Sequence, residues 1–141
     1  MLRKSITLLW LVCVALLTTA GCQSVEGPKT PTLDGSNWEL FAYGKTKPIF
    51  ETTITANFSD GEIRGTAGCN SYFGSYTTDG MGIEFGELGW TAMACLNPPG
   101  VMEQETLVME FFMNAERFEL EDGRLYIYRS DGEAMTFDRL N

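Results

Sequence analysis

From residue 36 onward, apolar and polar side chains alternate in short bursts. In NWELFAY, residues 37–43, Trp38 and Leu40 fall on one face. In TITANF, residues 53–58, Ile54, Ala56 and Phe58 do the same. A period of two buries one face of a strand and leaves the other wet. EIRGTAGCN (62–70), YFGSYTT (72–78) and GIEFGEL (82–88) extend the series, and RFELE (117–121), RLYIYRS (124–130) and AMTFDRL (134–140) close it. Asp-Gly pairs at 34–35, 60–61, 79–80, 122–123 and 131–132 punctuate these segments. They are hairpin signals, because glycine accepts the positive φ that tight turns need.

One segment has a different period. In PPGVMEQETLVMEFFMNAE, residues 98–116, apolar residues recur at helical spacing. Leu107, Phe111 and Ala115 form the expected packing stripe, with Val108 and Phe112 beside it. The prolines suit the start of a helix and not its interior. The expected order is five strands, one helix and three strands. This predicts a mainly β domain: a small antiparallel barrel or strongly curved sheet of about eight strands, closed by one helix inserted before the last three.

The N-terminus follows another pattern. Arg3 and Lys4 precede an apolar run from Ile6 to Leu17, followed by the small residues Thr18, Thr19, Ala20 and Gly21. That is the layout of a secretory signal, and the run is short for a membrane span. Cys22 comes next, so Ala20-Gly21-Cys22 resembles a bacterial lipoprotein cleavage box, with Thr19 in place of the usual leucine. Residues 1–21 are read as a signal peptide and Cys22 as a lipid-bearing residue with palmitate-type acyl chains. Cleavage after Ala20 without lipid is the plainer alternative. Gln23 favours outer-membrane sorting with the domain facing the periplasm, and the inner membrane and cell surface stay open. Residues 22–32 form the lipidated cysteine and a polar tether containing Pro28 and Pro31, and residues 33–141 form the domain.

Charge narrows the partners. The chain has 10 basic and 19 acidic residues. Residues 1–21 hold two of the cations and none of the acids, which leaves 8 against 19, a net charge of −11. Such a balance disfavours nucleic acid and anionic headgroups, and a monomer is expected. There is no histidine. That removes Cys-His and Ser-His-Asp catalysis and histidine-ligated zinc. Glu119 and Glu121 alternate with Phe118 and Leu120, an outward strand face and not an acid–base pair. Met93, Met102, Met109, Met113 and Met135 could supply soft sulfur to Cu(I), but adaptable packing is the preferred reading. No catalytic residue, metal or cofactor is expected.

With Cys13 in the signal and Cys22 lipidated, Cys69 and Cys95 remain. In an oxidising compartment their simplest state is one disulfide. A reactive pair and two buried thiols are the alternatives. Asn70 is read as an amide bonding backbone at a turn or bulge, with ligand binding as the alternative. Gly65, Gly68 and Gly74 are read as relief of crowding at sheet bends, with close approach of a ligand as the alternative.

These residues carry a family resemblance. GTAGCNSYFGSY (65–76) followed by TAMACLNP (91–98) and a helix resembles the META domain family, which includes HslJ-like heat-shock lipoproteins. The matching positions are Gly68, Cys69, Asn70, Gly74, Tyr76, Thr91, Met93 and Cys95. LDGSNWEL (33–40) and RLYIYRSDGEAMTF (124–137) also fit, and Ser71 departs where many relatives carry arginine. The resemblance implies an antiparallel β-fold of lipocalin-like topology with one helix, an association with heat or envelope stress and drug tolerance, and no established catalysis. The expected function is a lipid-anchored, non-enzymatic envelope protein that binds an envelope protein partner in stress protection. The alternative is binding or sensing of a small apolar ligand at a barrel mouth.

Overall fold

The computed structural model describes residues 31–141. The signal segment, Cys22 and most of the tether lie outside the described residues. Nine strands and one helix follow in order: β1 (Ser36–Tyr43), β2 (Thr55–Ser59), β3 (Glu62–Thr66), β4 (Ser71–Asp79), β5 (Gly82–Phe85), β6 (Gly89–Trp90), α1 (Val101–Met113), β7 (Ala115–Glu121), β8 (Arg124–Arg129) and β9 (Ala134–Arg139).

Every pairing is antiparallel. β1 pairs with both β2 and β9, and β3 pairs with β4, so eight strands close into a barrel. β6 is the extra strand and pairs with the first half of β4. Closure has a thin seam: β5 meets β7 at one register pair, Gly82 opposite Arg117. The Phe118 N–H also donates to the Met81 carbonyl there, at 2.8 Å.

The alternating residues turn inward as the sequence pattern requires. Trp38, Leu40, Ile54, Ala56, Phe58, Phe118, Leu125, Ile127 and Phe137 are buried. Two Asp-Gly pairs make two-residue hairpins with both residues at positive φ: Asp60 at 53° with Gly61 at 76°, and Asp122 at 50° with Gly123 at 76°. Asp34-Gly35 does not join two strands. It leads into β1, where the Gly35 N–H donates to the Phe58 carbonyl at 2.8 Å.

Large side chains fill the barrel. Trp38, Tyr72, Phe58, Phe112, Phe118 and Phe137 are all fully buried. Phe112 comes from α1 and sits among Tyr72, Phe85 and Phe137, with ring centroids 5.4, 5.1 and 6.3 Å away. The helix thus reaches into the barrel at the end where β7 begins. Burial pushes the Tyr72 phenol above its ordinary pKa, and its O–H donates to the Thr55 carbonyl at 2.7 Å.

The helix is shorter than residues 98–116 and its buried stripe is shifted. Pro98 and Pro99 precede it, and Ala115 already belongs to β7. Its inner face is Val101, Gln104, Glu105, Val108, Met109 and Phe112, a run of three and four steps, with Phe111 beside it. Leu107 is 52% exposed. A reading by apolar residues alone skips Gln104 and Glu105 and rotates the face toward Leu107. Leu107→Ala is therefore expected to change unfolding free energy by less than about 0.5 kcal/mol, measured by urea titration. A loss of about 2 kcal/mol would restore the original stripe.

Candidate functional site

The family-type residues converge at the α1 end of the barrel, in the turn between β3 and β4 and the chain after β6. The turn closes through the Ala67 N–H to the Asn70 carbonyl at 2.9 Å. Gly68 has φ of 112°, and a Cβ there would lie 3.1 Å from Gln104 Nε2 and 3.3 Å from a Val101 methyl. A residue without a side chain lets the turn lie flat against the helix.

Asn70 sits at the centre and is 1% exposed. Its Nδ2 donates to Glu105 Oε1 at 2.8 Å and to the Met93 carbonyl at 3.0 Å. Its Oδ1 accepts from the Met93 N–H at 2.8 Å and from Thr91 Oγ1 at 2.7 Å. Both donors and both lone pairs of the amide are used. The Asn70 backbone N–H donates to Glu105 Oε2 at 2.7 Å, so the carboxylate grips Asn70 at two points. By pairing with both the N–H and the C=O of Met93, the side chain imitates a neighbouring strand.

The sulfurs of Cys69 and Cys95 stand at disulfide distance, with Cα atoms 6.0 Å apart. This ties the turn to the chain that leads into α1. The Cys95 N–H points at the Met102 sulfur, 3.5 Å away. Gln104, also buried, accepts from the Ile49 N–H at 2.6 Å and donates to Thr52 Oγ1 at 3.0 Å. It pins the segment between β1 and β2 to the helix.

Gly68, Cys69, Asn70, Thr91, Met93 and Cys95 are thus brought together. Gly74 and Tyr76 lie farther along β4. A Cβ on Gly74 would strike a Leu88 methyl at 2.5 Å, and Tyr76 points inward against Phe58 with centroids 4.9 Å apart. The methionines do not gather: Met109 and Met135 are in the core, while Met93 and Met113 are exposed. Among the described residues no group of three or more Cys, Asp or Glu side chains is placed to hold a metal ion. Glu105 and Gln104 are the members that sequence reasoning missed. The signal available was their place at three and four steps from Val101 and Val108.

Chemically, the Asn70 amide is fully used within the protein and each Glu105 oxygen accepts one bond from Asn70. It orders a surface. The chain it holds, together with β4, exposes Phe73 (58%), Trp90 (48%), Met93 (55%) and Leu96 (84%).

The META domain family model matches residues 31–141. Among solved structures, an NMR structure of a protein from Burkholderia xenovorans is 24% identical, with a TM-score of 0.67 over 89% of this chain and 99% of that one. A crystal structure of a DUF4847 family protein from Bacteroides vulgatus is 14% identical, with a TM-score of 0.55 over 75% of this chain and 93% of that one. At these identities the likeness is one of fold. No curated protein matches the chain.

Proposed function

Because the chain belongs to the META domain family, we propose that it is a lipid-anchored, non-enzymatic protein of the bacterial cell envelope that acts by binding other proteins, in protection against envelope or heat stress. The observation that carries the binding role is the exposed apolar set Phe73, Trp90, Met93 and Leu96 on a backbone fixed by Asn70 and the cysteine pair. Exposed large apolar side chains clustered on one ordered segment and its neighbouring strand, in an otherwise acidic protein, mark an interaction site. The anchor rests on Ala20-Gly21-Cys22, and outer-membrane sorting on Gln23.

Binding of a small apolar ligand has less support. The barrel interior is occupied by aromatic side chains. The cleft at the mouth, lined by Tyr43, Leu107, Phe111, Arg129 and Met135 among others, holds about 210 Å³. Ligand pockets usually start at about 300 Å³.

The test places a photo-crosslinking residue at Leu96 or at the exposed Glu121, at the other end of the barrel, in cells. Discrete protein adducts are expected from position 96 and not from 121. Adducts from neither would end the binding role. Intact mass of the membrane-extracted chain should show a diacylglyceryl group on Cys22, and a soluble chain starting at Gly21 would remove the anchor.

A further inference from the structure

The chain after β6 leaves the sheet ladder but keeps one side bonded toward β4 and Asn70 and leaves the other open. Antiparallel bonding alternates along a strand. Gly89 lies opposite Phe73, the Thr91 N–H donates to the Ser71 carbonyl at 3.0 Å, and Met93 is bonded twice by the Asn70 side chain. That alternation turns the backbone groups of Trp90, Ala92 and Ala94 to the other edge. Among the described residues no hydrogen bond uses the backbone of Ala92 or Ala94, and both residues are exposed.

Protein edges are usually blunted by charge, by a bulge or by a cover. Here none of residues 88–102 is charged. This run lies beside a second uncharged run, residues 65–78, through the β4–β6 pairing. In the sequence that flanks these runs acids prevail: residues 48–116 contain ten acidic side chains and a single cation, Arg64, which pairs with Glu62.

We infer that the open edge at Trp90, Ala92 and Ala94 accepts an extended segment of a partner protein as an added β-strand, and that the segment is apolar in alternation with basic residues at its ends. This rests on the protein-binding role proposed above and names its geometry. Strand addition draws affinity from backbone hydrogen bonds and selectivity from alternate side chains. Here Trp90, Met93 and Leu96 supply apolar contacts. The surrounding negative field favours a cationic segment and repels both a second copy of this chain and an anionic membrane. The cysteine pair and Asn70 hold the edge in place before binding, so little ordering entropy is lost on association.

The probe is a short synthetic peptide of alternating valine and threonine with lysines at both ends, added to the folded domain. The peptide should bind, and the amide protons of Trp90, Ala92 and Ala94 should gain protection from exchange. Ala92→Pro removes one outward N–H, keeps the Thr91 and Met93 bonds, and leaves Thr91 in the extended region that precedes proline. It should weaken binding at least about tenfold with the melting temperature unchanged. The same peptide ended in glutamate should bind more weakly.

Should Ala92→Pro unfold the domain, N-methylation of alternate peptide amides should weaken binding as much while leaving the protein untouched. Equal binding by a folded Ala92→Pro, or protection confined to other amides, overturns the edge and leaves the crosslinking result at position 96 standing. No binding of the lysine peptide to the parent overturns strand addition, and the crosslinks then decide the protein-binding role separately. A concentration-dependent dimer abolished by Ala92→Pro would replace the basic partner with a second copy and overturn this assignment.

Discussion

Asn70→Ala is expected to cost about 3–5 kcal/mol, close to the loss seen when one member of a buried charged or hydrogen-bonded pair is removed. The alanine removes both amide donors and both acceptors at once. Glu105 Oε1 then loses its Asn70 amide bond inside the protein, and the Met93 N–H and C=O lose theirs. Thr91 also loses its acceptor. Only the Asn70 backbone N–H still meets Glu105. For a domain of this size the melting temperature should fall by roughly 10–20 °C. Glu105→Gln keeps an acceptor in the same place and should cost clearly less. If Asn70→Ala melted with the parent, the network would be decorative and the amide would be free for some other task.

The second large effect concerns the cysteines. Replacing Cys69 and Cys95 with serine releases a crosslink across 26 residues of sequence. On the chain-entropy account that costs about 3.5 kcal/mol, less any strain the bridge carries. Partner binding should survive at temperatures where the double variant is folded, because Asn70 still holds Met93. A working thiol pair predicts the reverse: near-parent stability and lost activity. Labelling the denatured, unreduced protein settles the covalent state, and two reactive thiols per chain would dismiss the staple.

Alternation made most of the barrel legible, because residues such as Ile54, Ala56 and Phe58 repeat at two and leave no helical reading. The hairpins at Asp60-Gly61 and Asp122-Gly123 were legible for the same local reason. β6 was not, since two residues are too few to show a period and Trp90 stays half exposed. The cysteines and Asn70 stood out as a motif, and the amide does bond backbone, although the backbone belongs to Met93 and not to its own turn. Glu105 was hidden because an acid in a helix ordinarily faces water. Only its partner 35 residues earlier makes its burial affordable, and no local pattern reveals a partner at that distance.

The pairing of the first strand with the last has a consequence for how the molecule comes into being. Trp38 lies opposite Arg139, so the ring joins positions separated by roughly 100 residues of chain. A nascent polypeptide can make the β2–β3 and β3–β4 hairpins as it emerges, but β1 waits with an unpaired side until β9 has been released. The ring's other long-range contact, the narrow seam at Gly82 and Arg117, does not close it without that pairing. The ring therefore cannot close until β9 has been made, roughly 100 residues after β1. Until then the strands already made leave the inward-facing side chains of β1 without the neighbours that β9 supplies.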